Sequence, residues 1–169
     1  MKPQAALSPL KNQRRPGPAF WNALGKRAIL VGIGNSVRGD DGAAPALIQK
    51  LDGQCDCTCI NAESTPENYL GLIVRQRPDI VLFIDAFDMH LKPGEWRVFE
   101  GCDIAETSLH THAISLGLLL QFLRKQTQAQ ILVLGIQPRR IAFGEGLSAE
   151  VETAVNAIAQ AVCAAKASG

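Results

Sequence analysis

Three short stretches of the chain, residues 28–33, 79–85 and 131–136, are apolar almost throughout. Such runs, four to eight residues long and bounded by Gly, Asn or Pro, mark strands buried on both faces. Between them the apolar positions recur at helical spacing. Ala43, Ala44, Leu47, Ile48 and Leu51 predict a helix over 41–51, with Asp41 at its dipole-favoured start and Pro45 in the first turn, where proline is tolerated. Leu70, Ile73 and Val74 predict a second helix over 67–76, stopping before Pro78. Leu116, Leu119, Leu120 and Leu123 predict a third over 114–125. A fourth begins at a Ser148 N-cap, carries Glu150 and Glu152 in its first turn, and runs to about Ala165 with Val151, Val155, Ile158 and Val162 as its buried stripe. Residues 57–61 predict a further strand. Trp96 to Phe99, after the turn Lys92-Pro93-Gly94, read as a strand at the sheet edge.

Strands alternating with helices in units of about 30 residues imply right-handed crossovers. The expected fold is a three-layer α/β/α sandwich, with a mostly parallel, twisted sheet of about five strands and helices on both faces. Residues 26–169 form this α/β domain. Residues 1–25, with Pro3, Pro9, Pro16 and Pro18 and no apolar core of a secretion signal, are expected to be a flexible N-terminal extension.

Composition sharpens this only in places. With 47% hydrophobic and 20% charged residues, the chain has the balance of a folded globular protein. No apolar run reaches the ~18 residues of a membrane span. The net charge of +1 gives no reason to expect nucleic acid. Six of the 17 basic residues lie before position 28, a stretch without any acid, which leaves 11 against 16 acidic residues from there onward. The five cysteines are an odd number and contain no CxxC pair, which argues against a disulfide framework or a zinc site. Cys55, Cys57 and Cys59 alternate and would share one face of a strand, too far apart for neighbouring disulfides. Small, buried residues in a reducing compartment are the expectation.

In an open α/β sheet, ligands bind beyond the carboxyl ends of the strands, where the strand order reverses. If the order begins 2-1-3, the loops after strands one and three flank that point. After strand one stands Gly32-Ile33-Gly34-Asn35-Ser36-Val37-Arg38-Gly39-Asp40-Asp41-Gly42. A dinucleotide fingerprint would need glycine at Val37, and two adjacent acids repel a pyrophosphate. The loop suits a cation instead. A helix cap explains one of the two aspartates, and the other needs another role. Strand three ends in Asp85, with Asp88 three residues on; a carboxylate at the mouth of a buried strand is usually paired or functional. His110 and His112 precede the third helix. Asp, Asp and His make a mixed oxygen and nitrogen ligand set for a transition metal. No GxSxG elbow or recognisable catalytic cysteine offers other chemistry.

In these residues the sequence resembles the hydrogenase maturation endopeptidases, most closely the type serving the hydrogenase-3 large subunit of formate hydrogenlyase. The resemblance runs from Ala28 to about Val162. It rests on 34–42 (GNSVRGDDG), Ser64-Thr65-Pro66-Glu67-Asn68, Ile84-Asp85-Ala86, Lys92-Pro93-Gly94-Glu95, Thr111-His112 and Leu134-Gly135-Ile136-Gln137-Pro138. It implies a cytoplasmic endopeptidase that removes a C-terminal peptide from the large-subunit precursor of a [NiFe]-hydrogenase once nickel is in place. The nickel belongs to the substrate, and no nucleotide is expected. The metal-contacting positions of the family fall on Asp41, Asp85 and His112, with His110 the alternative two residues away. Asp41 and Asp85 are also the catalytic candidates, and Asn35 and Asp40 match motif positions assigned to substrate recognition. The resemblance leaves open whether nickel polarises the scissile carbonyl or a carboxylate activates water. The alternatives from other classes are a non-catalytic, flavodoxin-like module binding a metal or nucleotide, and a different hydrolase on the same fold. Apolar residues in the loops 87–91 and 141–147 are candidates for contact with the precursor.

Overall fold

The computed structural model describes residues 14–25, 27–101 and 113–167. Five strands form one sheet: β1 (Ala28–Ile33), β2 (Thr58–Glu63), β3 (Ile80–Ala86), β4 (Trp96–Glu100) and β5 (Gln130–Ile136). Their spatial order is β2-β1-β3-β5-β4. All neighbours are parallel except β4, which runs antiparallel to β5 at the edge. The helices are α1 (Pro18–Asn22), α2 (Ala43–Leu51), α3 (Leu70–Gln76), α4 (Ala113–Gln126) and α5 (Ala149–Ala167). The expected three-layer architecture is therefore present, and strands one and three lie on either side of the reversal in strand order.

The alternation of side chains along each strand separates two cores. Leu30, Leu82, Ile84, Leu132 and Leu134 face α2 and α5 and meet Leu47, Ile48, Val151, Val155 and Ile158. Ile29, Val31, Val81, Phe83, Ile131 and Val133 point the other way, onto Ile73 of α3 and Leu116, Leu120 and Leu123 of α4. All six residues of β1 are buried, which is why its sequence shows no polar alternation.

Two predicted helices begin as tighter 3₁₀ turns, at Gly39–Gly42 before α2 and at Pro66–Tyr69 before α3. β2 starts at Thr58, so Cys55 and Cys57 lie in the preceding turn rather than on one strand face. That turn folds Cys55 back until its Sγ stands 3.7 Å from Cys59 Sγ. Cys55, Cys57, Cys59 and Cys163 form no disulfide among the described residues. Burial, followed by its thiol neighbours, pushes Cys57 up to about 12.

The N-terminal segment differs from expectation over its described part. Residues 14–25 pack on the domain instead of extending from it. Arg14 exchanges two main-chain hydrogen bonds with Val98 of the edge strand, at 3.1 and 2.9 Å. The short α1 lies against α5 and buries Trp21, while Leu24 follows it into the core. The physical cause is apolar area: these two side chains have a face of α5 to cover. Replacement of Trp21 by Ala is expected to cost about 3 kcal/mol of stability in urea unfolding, as for other buried aromatics. An unchanged midpoint would show that α1 contributes nothing to the fold.

Candidate functional site

The loop that follows β1 turns sharply on glycine. Gly34 has φ +140°, and a Cβ there would lie 2.0 Å from the main-chain oxygen of Asp41, so the two ends of the loop touch. Gly39, with φ +59°, lets the chain pass so close to Arg140 that a Cβ would meet its carbonyl at 2.9 Å. Asn35 shapes the intervening turn. Its Oδ1 accepts the N–H of Val37 at 3.0 Å, and its own N–H donates to Asp41 Oδ2 at 3.1 Å. These contacts give a physical reason for the glycines and the asparagine of the motif.

Asp40 and Asp41 are both buried, at 1% and 3% exposed, yet they do different work. The carboxylate of Asp40 accepts four hydrogen bonds. The N–H groups of Arg139 and Arg140 reach Oδ2 at 2.8 and 3.0 Å, the Ser148 N–H reaches Oδ1 at 2.7 Å, and the Ser148 hydroxyl donates to Oδ2 at 2.9 Å. Burial acts to raise its pKa, but the donors from Arg140, Ser148 and Arg139 prevail and hold it below the usual carboxylate value. Asp40 therefore clamps the loop after β5 and the start of α5 to the loop after β1. Asp40, expected to recognise substrate, has its carboxylate hydrogen-bonded within the protein. Ser148 precedes α5 as expected but turns its hydroxyl to Asp40.

Asp85 occupies the last positions of β3, opposite Gly135 of β5. It is 4% exposed, and its Oδ1 accepts the N–H of Ala86 at 2.8 Å. The turn bearing Asp41 packs directly on β3. Burial, and then the charge of Asp41, push the Asp85 carboxyl well above the ordinary carboxylate value, against the pull of the Ala86 N–H. The structure thus brings Asp41 and Asp85 into one electrostatically coupled pair at the carboxyl ends of β1 and β3. Among the described residues no Lys, Arg or His forms an ion pair with either. Each leaves its second carboxylate oxygen without a hydrogen-bond partner there. Two coupled carboxylates of this kind can hold a single proton between them, serve as acid and base, or bind a cation.

Other predicted residues fall elsewhere. His112 and His110 lie outside the described residues. Asp88 is a turn carboxylate, accepting the His90 N–H at 2.9 Å and a Gln137 Nε2 proton at 3.1 Å. Sequence reasoning gave Gln137 no role, and the structure supplies one. Its buried amide accepts the N–H groups of Met89 and Leu91 at 2.7 and 3.2 Å, pinning the loop that follows Asp85. Gly135 leaves room beneath that loop, since a Cβ would lie 2.6 Å from the Phe87 ring. Only the motif in which Gln137 stands, Gly135-Ile136-Gln137-Pro138, could have signalled this. A cavity of about 620 Å³ over the Asp40 clamp is lined by Arg139, Arg140, Glu145 and Ser148, and Asp41 and Asp85 are not part of it. Its arginines are paired, Arg139 with Glu150 and Arg140 with Glu145.

Two measurements check these assignments. Asp40→Ala strands three part-buried N–H donors and should cost about 2 kcal/mol of unfolding free energy; a cost near zero would refute the clamp. For Asp85 the sign is opposite. A folded-state pKa above the unfolded value means that stability is lost as pH rises past the ordinary carboxylate value. In metal-free protein Asp85→Asn should therefore raise Tm at neutral pH and gain nothing below about pH 4, where the carboxyl is protonated in both states. A fall in Tm at neutral pH would contradict the burial of an unbalanced acid.

Comparison with known proteins places the chain. Residues 45–165 match the HycI family model, described as hydrogenase maturation protease; the match includes Asp85 and the position of His112 and begins just after Asp41. The hydrogenase 3 maturation protease of Escherichia coli K12 is 36% identical over 135 residues, covering 78% of this chain and 86% of that protein. A putative hydrogenase maturation protease of Methanocaldococcus jannaschii is 29% identical over 128 residues, covering 70% and 76%. The crystal structure of a [NiFe] hydrogenase maturation protease from Thermococcus kodakarensis superposes with a TM-score of 0.77 at 26% identity, covering 84% of this chain and 93% of that one. The chain belongs to the hydrogenase maturation protease family.

Proposed function

We propose that this protease removes a C-terminal peptide from the large-subunit precursor of a [NiFe]-hydrogenase, and that it reads the nickel already held by that precursor. Membership of the family makes the chain a peptidase. The observation supporting the finer reading is the Asp41–Asp85 pair: two buried, mutually repelling carboxylates that lack a cationic partner among the described residues. A divalent cation relieves that repulsion, and its charge takes the place of the proton on Asp85. The nickel is then substrate, not a resident cofactor, and His112 is assigned as the third ligand, since an imidazole completes a set suited to a transition metal. A precursor without nickel brings no such charge and is passed over, which makes the metal a specificity device.

Asp41 and Asp85 are also assigned to the hydrolysis. With the metal-bearing segment seated between the loops after β1 and β3, the scissile peptide lies beside the pair; a carboxylate takes a proton from the water that attacks the carbonyl carbon and returns it to the departing amine nitrogen as the C–N bond breaks. Asn35 positions Asp41 by its main-chain N–H. The protein is assigned to the cytoplasm, where the cysteine thiols of the described residues, none of them in a disulfide, stay reduced. Among the described residues, no helix is long and apolar enough to cross a membrane.

The test is cleavage read by intact mass. Wild-type protein should shorten the nickel-loaded precursor and leave the empty one whole. Asp41→Asn and Asp85→Asn should each lower the rate by at least about a hundredfold, the scale for loss of an acid–base group. Loss of cleavage by Asp85→Asn without loss of stability separates a chemical role from a structural one. Equal cleavage of loaded and empty precursor would refute the metal gate, and retention of the loaded precursor without cleavage would favour a binding module.

A further inference from the structure

Large hydrophobic side chains exposed to solvent are few, and they are not scattered. Among the described residues there are five: Val37, Leu118, Phe122, Ile141 and Phe143. Leu118 and Phe122 lie on α4. The other three stand together on the two loops beside the carboxylate pair, with Phe143 72%, Val37 58% and Ile141 41% exposed. The Arg38 guanidinium covers the Phe143 ring, 5.1 Å from its centroid, and makes no ion pair among the described residues.

The two loops are fastened to each other. The Gly144 N–H donates to Val37 O at 3.0 Å, the Gly39 N–H to Glu145 O at 3.1 Å, and the Asp40 N–H to Arg140 O at 3.0 Å. The Asp40 carboxylate locks the same junction from below. An exposed ring held on a rigid frame, with a stacked arginine beside it, carries little ordering cost on binding. Aromatic residues and arginine are also the types enriched where protein interfaces concentrate their affinity.

We infer that Val37, Arg38, Ile141 and Phe143 form the platform on which the folded large-subunit precursor docks. The inference rests on the proposed processing of that precursor. It identifies the surface engaged before the metal and the tail are read. Continuity argues for this occupant over another: the Arg38 carbonyl accepts the Asp41 N–H at 3.3 Å, so a protein seated on the platform is one turn of backbone from the carboxylate pair. The chemistry expected of the partner is an apolar recess that admits the Phe143 ring, with a carboxylate at its edge for Arg38. Asp40, buried beneath both loops, acts here as a positioning residue that fixes the platform's height over the site.

The experiment is steady-state cleavage of nickel-loaded precursor by the full chain carrying Phe143→Asp, with Val37→Asp as the second variant and Leu118→Asp as control. Because the Phe143 ring is largely exposed, its Tm should stay at the wild-type value; if it does not, Val37→Asp provides the reading. KM should rise at least about tenfold, as when an anchoring aromatic is lost from an interface, with kcat little changed. Leu118→Asp should leave both constants unchanged. An unchanged KM in both platform variants overturns the inference, as does a fall in kcat alone. Wild-type self-association in sedimentation that Phe143→Asp abolishes without affecting cleavage would assign the platform to a second copy of the chain and overturn it too. If the wild-type protein cleaves no loaded precursor, the functional reading fails and this inference fails with it.

Discussion

At the carboxyl ends of β1 and β3 the fold forces two carboxylates together, and the surrounding loops are arranged around them. Asp85 is carried into the interior by β3, whose preceding residues are apolar because both faces of the strand are covered. Asp41 is brought to it by a loop that doubles back on Gly34 and rests on β3. The position of Asp85 is not a comfortable one for a charge: burial disfavours its ionised form, and the charge of Asp41 disfavours it further. An arrangement that costs stability in the absence of a ligand, and that no described cation relieves, is intelligible as a receptor for positive charge brought from outside.

The neighbouring Asp40 shows how differently the same side chain behaves one position away. Its donors are main-chain N–H groups fixed by the loop after β5 and by the start of α5, roughly a hundred residues along the chain. A carboxylate so surrounded is stabilised in its charged form, and it locks together the elements that frame the site. The clamp also fixes the rim, where Arg38 and Phe143 meet from opposite loops. Adjacent acids in the motif thus divide the labour: one is the joint of the frame, the other is held by it with an oxygen to spare.

Much of this was legible in the sequence. The strands buried on both faces appeared as unbroken apolar runs, so β1, β3 and β5 were placed to within a residue, and Asp85 stood out as a charge at the end of such a run. A helix cap explains neither aspartate of the pair, since neither side chain caps α2; the one with a visible structural role is Asp40, which joins two loops. Its partners could not be read, because Arg139, Arg140 and Ser148 are joined to it only by tertiary geometry. The 3₁₀ turns were hidden because acids and proline at a helix start favour either helix type. α1 was hidden by its five-residue length and its Pro-rich, basic surroundings; Trp21 and Leu24 were the signal that the segment had a surface to cover. The cysteines misled through the assumption that alternate residues share one strand. A turn before Thr58 places Cys55 against Cys59 instead.

The electrostatic coupling of Asp41 and Asp85 can be observed without substrate. Carbon-13 NMR of the side-chain carboxyls, recorded as a pH titration of the metal-free protein, reports each aspartate separately. Asp85 should stay protonated well above the ordinary carboxylate range, and in the Asp41→Asn variant its titration should move to lower pH while burial still holds it raised. An Asp85 that titrates with ordinary surface carboxylates, or one indifferent to the loss of the Asp41 charge, would contradict the existence of the pair.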